Sequence, residues 1–145
     1  MTPRYETILL ATDGSPASEL ANDQAIDLAV QIGARLLVVS VVGSSSKPSE
    51  AASADLRDSM ATRVQGIVQQ AKAAGTDATY LLWEGEPGEA IVAAADAENA
   101  DLIVVGSHGR SGVSRFLIGS VSDYVVRHAH CPVMVVRAKS VPARR

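Results

Sequence analysis

The sequence predicts an α/β domain: a doubly wound parallel sheet of five strands with helices on both faces. Three observations predict it. Short runs at residues 7–12, 36–42, 102–105 and 133–136 are almost continuously apolar rather than alternating, as expected of strands covered on both faces. Segments with apolar residues three and four apart separate these runs, giving the order β-α-β-α-β-α-β-α-β. Strands that alternate with helices in this way join by right-handed crossovers, which build a parallel sheet.

The first run, Thr7-Ile8-Leu9-Leu10-Ala11-Thr12, ends at Asp13-Gly14-Ser15-Pro16, a turn by composition. Ala17, Leu20, Ala21, Gln24, Leu28 and Ile32 then form a helical stripe. Ser15 is suited to cap this helix, Pro16 to open it and Gly33 to end it. The second strand follows at residues 36–42, and residues 43–49 are loop-like in composition. A second stripe of Leu56, Met60, Val64, Ile67, Val68 and Ala71 closes at Gly75. Residues 79–83 are rich in β-formers but stop early at Glu84-Gly85, a weaker strand. Pro87 opens a third helix carrying Ile91, Val92 and Ala95 on one side. After the strand at 102–105, residues 120–129 form a fourth helix with Val121, Tyr124, Val125 and His128 aligned, and Pro132 starts the last strand.

With 145 residues, the chain fits one domain. Its core is expected over residues 5–137, with a frayed tail at 138–145. The composition is 47% apolar and 20% charged, which argues against disorder, and with 3% aromatics the core must be aliphatic. A net charge of −3 argues against nucleic-acid binding through bulk charge. No apolar run approaches the roughly 18 residues of a membrane span, and no signal peptide is visible, so a cytoplasmic protein is expected. Cys131 is the one cysteine, which excludes an internal disulfide.

The chemistry concentrates in residues 105–122. Glycines at 106 and 109 are expected to let the backbone reach φ > 0 and approach a ligand closely. Ser120, Val121 and Ser122 offer N–H groups at a helix N-terminus, where the dipole favours anions. Arg110, Arg115 and several serines add charge and donors. Together they describe an anion site, most plausibly for phosphates, although turn and cap chemistry alone would use the same glycines. The segment is neither a Walker A loop nor a dinucleotide fingerprint. Ligands of doubly wound sheets sit beyond the carboxyl ends of the strands, where strand order reverses.

The spacing Gly106-x2-Gly109-x9-Gly119-Ser120 resembles the nucleotide-binding branch of the universal stress protein family. The likeness extends to Ile8-Leu9-Leu10-Ala11-Thr12-Asp13-Gly14-Ser15, Gly85-x-Pro87, residues 101–106 and residues 131–136, and so covers 5–137. The resemblance implies a Rossmann-like fold that binds ATP, with Mg²⁺ or Mn²⁺ bridging the phosphates and few or no protein ligands to the metal. By position, Ala11, Thr12 and Asp13 would border the nucleoside and Val41 would meet the adenine edge. Gly106 and Gly109 would line the ribose and α-phosphate, with His108 a loop donor or bystander beside them and Arg110 either a phosphate contact or part of a solvated loop. Gly119, Ser120, Val121 and Ser122 would hold the β- and γ-phosphates. Ala11 stands where many nucleotide-binding members have proline. The resemblance also implies a homodimer joined along the last strand, Pro132 to Arg137, acting as a sensor or regulator in a stress response.

The remaining candidates read more plainly. His128 and His130, at the end of the last helix, suit capping better than a metal site with Cys131. Cys131 reads as a small hydrophobe and Trp83 as core or interface. No nucleophile elbow, Ser-His-Asp arrangement or placed base is legible, so little or no hydrolysis is expected. A binder of AMP or cyclic AMP, a weak ATPase, and a nucleotide-free dimeric interaction protein stay open as alternatives.

Overall fold

The computed structural model describes residues 4–42, 50–107 and 119–137, and the side chains of 50–53 lie outside that description. Its strands are β1 (Thr7–Ala11), β2 (Arg35–Val42), β3 (Ala78–Glu84), β4 (Leu102–Gly106) and β5 (Val133–Val136). Its helices are α1 (Glu19–Ile32), α2 (Glu50–Ala74), α3 (Pro87–Ala97) and α4 (Ser120–His128). All strand pairs are parallel, in the order β3-β2-β1-β4-β5. The expected doubly wound five-stranded sheet is therefore present, with helices on both faces. The expected mobile segments at 43–49 and 138–145 lie outside the described residues.

Successive residues of each strand point to opposite faces, so the apolar runs feed two cores. On one face Ile8, Leu10, Leu36, Val38 and Val104 pack against α1 and α2. On the other Leu9, Leu37, Val39, Ile103 and Val105 pack against α3 and α4. Each leucine or isoleucine buried this way contributes about 1.5–3 kcal/mol relative to exposure.

The helices depart from the sequence expectation in ways packing explains. The buried face of α1 is Ala21, Asn22, Ala25, Ile26 and Ala29, while Ala17, Gln24 and Ile32 are exposed. The expected stripe is thus rotated, because the small residues let the helix lie close to the sheet. Leu20 and Leu28 lie at the margin of that face, half-buried. Ser15 does not cap the helix. A 3-10 turn at Pro16–Ser18 intervenes, and the Ser15 hydroxyl is buried with no hydrogen-bond partner. Gly33 ends α1 as expected, in the left-handed conformation that glycine tolerates best (φ 72°). On α2 the buried stripe begins at Met60, and Leu56 is exposed.

The strand expected to be weak, β3, spans seven residues and pairs with β2 from Ala78 to Glu84. Its β-branched and aromatic residues need only one neighbouring strand, because β3 lies at the sheet edge. The last strand starts at Val133, one residue after Pro132, whose carbonyl accepts the N–H of Ile103.

Gly88 marks the closest approach of α3 to α4. A Cβ there would lie 2.8–2.9 Å from Cδ1, Cβ and Cγ of Tyr124. Gly88→Ala is expected to destabilise the fold by about 1–3 kcal/mol, despite alanine's higher helix propensity, because neither helix can retreat without opening the core. Chemical denaturation of the variant against the parent checks this.

Candidate functional site

The strand order reverses between β1 and β4, so the crevice outside their carboxyl ends is the expected ligand position. The turn after β1 borders it on one side. The exit of β4 and the start of α4 border it on the other.

The β1 turn is a built structure. The Thr12 N–H donates to the Val39 carbonyl (3.0 Å), which extends the ladder one residue past the strand. The Thr12 hydroxyl donates to Ser18 Oγ (2.9 Å), and the Ser18 hydroxyl donates to the Ser15 carbonyl (2.8 Å). The Gly14 N–H donates to Thr12 Oγ1 (3.1 Å). One carboxylate oxygen of Asp13 accepts the Ser15 N–H (2.8 Å). Asp13 thus braces the turn, as an aspartate two residues before a free N–H does, and it stays only partly buried at the crevice. Gly14 adopts φ 73°, a left-handed conformation that favours glycine.

The β4 side is a clasp. Gly106 ends β4 in register with Val136, so its backbone is extended rather than at the expected positive φ. The Ser107 N–H donates to the Val136 carbonyl (2.9 Å), and the Ser107 carbonyl accepts the Gly119 N–H (2.7 Å). The Ser122 hydroxyl donates to the Gly106 carbonyl. These bonds place the start of α4 against the end of β4. Gly119 is the N-cap, and no side chain caps the helix there. The first N–H groups of a helix have no partner inside it, so those of Ser120, Val121 and Ser122 remain for another acceptor. The Ser107 hydroxyl is buried and has no partner among the described residues. A Cβ on Gly119 would come within 3.0 Å of the Ser107 carbonyl oxygen, so a glycine keeps this approach open.

Of the twelve candidate residues, Ala11, Thr12 and Asp13 lie at the β1 exit, and Gly106, Gly119, Ser120, Val121 and Ser122 at the β4–α4 clasp. Ser122 is buried, and its hydroxyl serves the clasp. Val41 is half-buried on β2, in register with Trp83, and both pack against the α3–α4 core. His108, Gly109 and Arg110 lie outside the described residues, as does Arg115. Ser107 was not among the candidates, although its place directly after Gly106 in a phosphate-loop pattern was a signal for it.

The histidine expectations divide. His128 Nδ1 lies 2.9 Å from the Tyr124 carbonyl in the last turn of α4, the geometry of a C-terminal cap. His130 instead lies 3.1 Å from the Asp96 carboxylate. The loop carries it past the helix end and across to α3. Cys131 is partly buried and packs against the α3–α4 core. Burial pushes its thiol pKa up, and the nearby carboxylates of Asp96 and Asp101 push it the same way. That favours the inert thiol over a nucleophilic thiolate. Among the described residues, no three His, Cys, Asp or Glu side chains come together as a metal site. No described helix is long and apolar enough to cross a membrane.

Fold and site together define a small doubly wound α/β domain whose switch point lies between a braced acidic turn and an uncapped helix N-terminus. The chain belongs to the universal stress protein family, whose profile matches residues 4–137. It is 34% identical over 140 residues to a universal stress protein of Methanocaldococcus jannaschii, covering 92% of this chain and 82% of that one. It superposes with a TM-score of 0.74 and 30% identity on a universal stress protein solved in complex with cAMP, covering 94% of this chain and 100% of the other. For the Archaeoglobus fulgidus universal stress protein in complex with dAMP, the TM-score is 0.68 and the identity 26%, covering 93% and 100%.

Proposed function

We propose that this protein binds an adenine nucleotide across the β1–β4 switch point and acts in the cytoplasm as a nucleotide-dependent sensor or regulator of a stress response. The observation that carries this reading is the clasp of Ser107 and Gly119. It sets an uncapped helix start and a buried, unpartnered hydroxyl at the place where such sheets take ligands.

In this reading Asp13, held by the Ser15 N–H, faces the nucleoside with Ala11, Thr12 and the Val41 edge. The backbone N–H groups of Ser120, Val121 and Ser122 receive the phosphates, joined by Gly106, His108, Gly109 and Arg110. When bound, ATP would supply the anionic phosphates that these donors at the β4–α4 clasp would hold. Mg²⁺ or Mn²⁺ would accompany the nucleotide and offset its phosphate charge, held by the phosphates more than by protein side chains. The residues present fit such a group: the donors are backbone amides and hydroxyls, and the tight approach of Gly119 to the Ser107 carbonyl favours a residue without Cβ. In this reading Asp13 lies across the crevice in the β1 turn, away from the helix start that receives the phosphates, and Asp123 in the first turn of α4 is paired with Arg127. Hydrolysis is therefore expected to be slow at most.

A second reading, a mononucleotide ligand such as AMP or cyclic AMP, is favoured by relatives solved with cAMP and dAMP. The protein is also proposed to form a homodimer through Pro132 to Arg137. Mass spectrometry of the small molecules released from the purified protein tests these readings together, followed by calorimetry with ATP, AMP and cyclic AMP in the presence of Mg²⁺. ATP is expected as the released or tightest ligand. A site that takes none of the three up to millimolar concentration would sink the nucleotide reading.

A further inference from the structure

Adenine binding needs a surface against the flat face of the base, and proteins commonly use an aromatic ring for it. The described aromatic side chains stand elsewhere. Tyr5 precedes β1 at the far end of the strand from the crevice. The Tyr80 hydroxyl on β3 accepts a hydrogen bond from the Gln65 amide of α2 (2.9 Å). Trp83 is two strands from β1 and packs into the α3–α4 core. Tyr124 is stacked on His128, with ring centroids 4.0 Å apart.

One planar side chain does reach the β1 turn. Arg63, on α2, lays its stem on Gly14: a Cβ on that glycine would lie 2.9 Å from both Cβ and Cδ of Arg63. Gly14 therefore does two things. It turns the chain at positive φ, and its bare Cα leaves room for the arginine. The guanidinium begins one bond beyond Cδ, at the turn that Gly14 makes. Arg63 is exposed, and no salt bridge to a carboxylate occupies it among the described residues. Two other described arginines are committed to carboxylates, Arg57 to Glu84 and Arg127 to Asp123. Because α2 packs on β2 and β3 while α4 packs on α3 and β5, Arg63 stands on the β2 side of the switch point, away from the helix start proposed to hold phosphates.

We infer that Arg63 is a specificity-determining residue of the nucleotide site, its guanidinium plane stacking on the purine base above the Asp13–Gly14 turn. This rests on the nucleotide reading given above. Arginine suits the task because its guanidinium is planar, delocalised and weakly hydrated, whereas a lysine ammonium offers charge without a plane.

The test is calorimetry of ATP and of adenosine with the parent protein, Arg63→Met and Arg63→Lys. Methionine keeps an unbranched stem on Gly14 and lacks the guanidinium. Lysine keeps the stem and the charge and lacks the plane. Both variants are expected to lose about tenfold in affinity, and by the same factor for adenosine as for ATP, because the contact is to the base. Parent-like binding by Arg63→Met would overturn the inference by showing that only the stem matters. A loss confined to ATP, restored in Arg63→Lys, would overturn it in favour of a phosphate contact. A parent protein that binds neither ligand would instead remove the nucleotide reading itself, and the inference with it.

Discussion

Replacing Gly119 with valine is expected to weaken adenine nucleotide binding by about a hundredfold, the loss of one or two charge-assisted hydrogen bonds worth roughly 1.5–3 kcal/mol each. The reason is local. Already the first added carbon would come within 3.0 Å of the Ser107 carbonyl oxygen, which also accepts the Gly119 N–H at 2.7 Å. Strand β4 is central and buried, so Ser107 cannot yield, and the start of α4 must move instead. Moving it redirects the N–H groups of Ser120 and Val121 together. The fold should survive with a loss of about 1–2 kcal/mol, since the site lies at the rim of the core. Calorimetry with ATP and Mg²⁺, alongside thermal unfolding of the same sample, separates the two effects. Parent-like affinity in a folded Gly119→Val protein would remove the clasp from the phosphate site.

The second large effect is expected at β5. The carbonyls of Pro132 and Val136 accept N–H groups from the β4 side. Strand groups alternate with a period of two, so the N–H groups of Val133 and Val135 point away from β4, toward the sheet edge. That edge is apolar, and Met134 is 37% exposed. Such an edge is a template for pairing with another chain. Val135→Pro deletes an outward donor and is expected to convert the proposed homodimer to a monomer at micromolar concentration. Met134→Lys, which leaves the backbone intact, is expected to weaken the dimer in the same direction. Analytical ultracentrifugation over a concentration series reads both. A parent protein that stays monomeric throughout would remove the dimer proposal.

The sheet and its helices were legible because a strand buried on both faces must be apolar at every position, and because Gly14, Gly33, Gly85 and Pro87 punctuate the chain where backbone geometry demands it. The rotation of α1 was not legible. Periodicity finds large apolar residues, whereas this helix packs through Ala21, Ala25 and Ala29, whose value lies in close approach. The capping role given to Ser15 failed for a related reason. Four residues with hydroxyl or carboxylate oxygens, Thr12, Asp13, Ser15 and Ser18, compete for the same few N–H groups, and sequence does not rank them. At the site, glycine and serine spacing pointed to the switch point, because a phosphate loop needs residues without side-chain bulk. Arg63 lay beyond that reasoning. It stands 49 positions after Gly14 in the chain, and only the packing of α2 over the turn brings them together.

The hydrogen bond between Ser107 and Gly119 has a consequence for how such proteins diversify. It joins Ser107 to Gly119 directly, so the end of β4 and the start of α4 hold each other across eleven sequence positions. Entropy charges little for a longer connection, about 0.6 kcal/mol for each doubling. Insertions, deletions and wholesale replacement between these two residues should therefore leave the sheet and α4 in register. Through such a clasp a family could vary the sequence between these two residues to suit a different ligand while the scaffold that receives it stays the same.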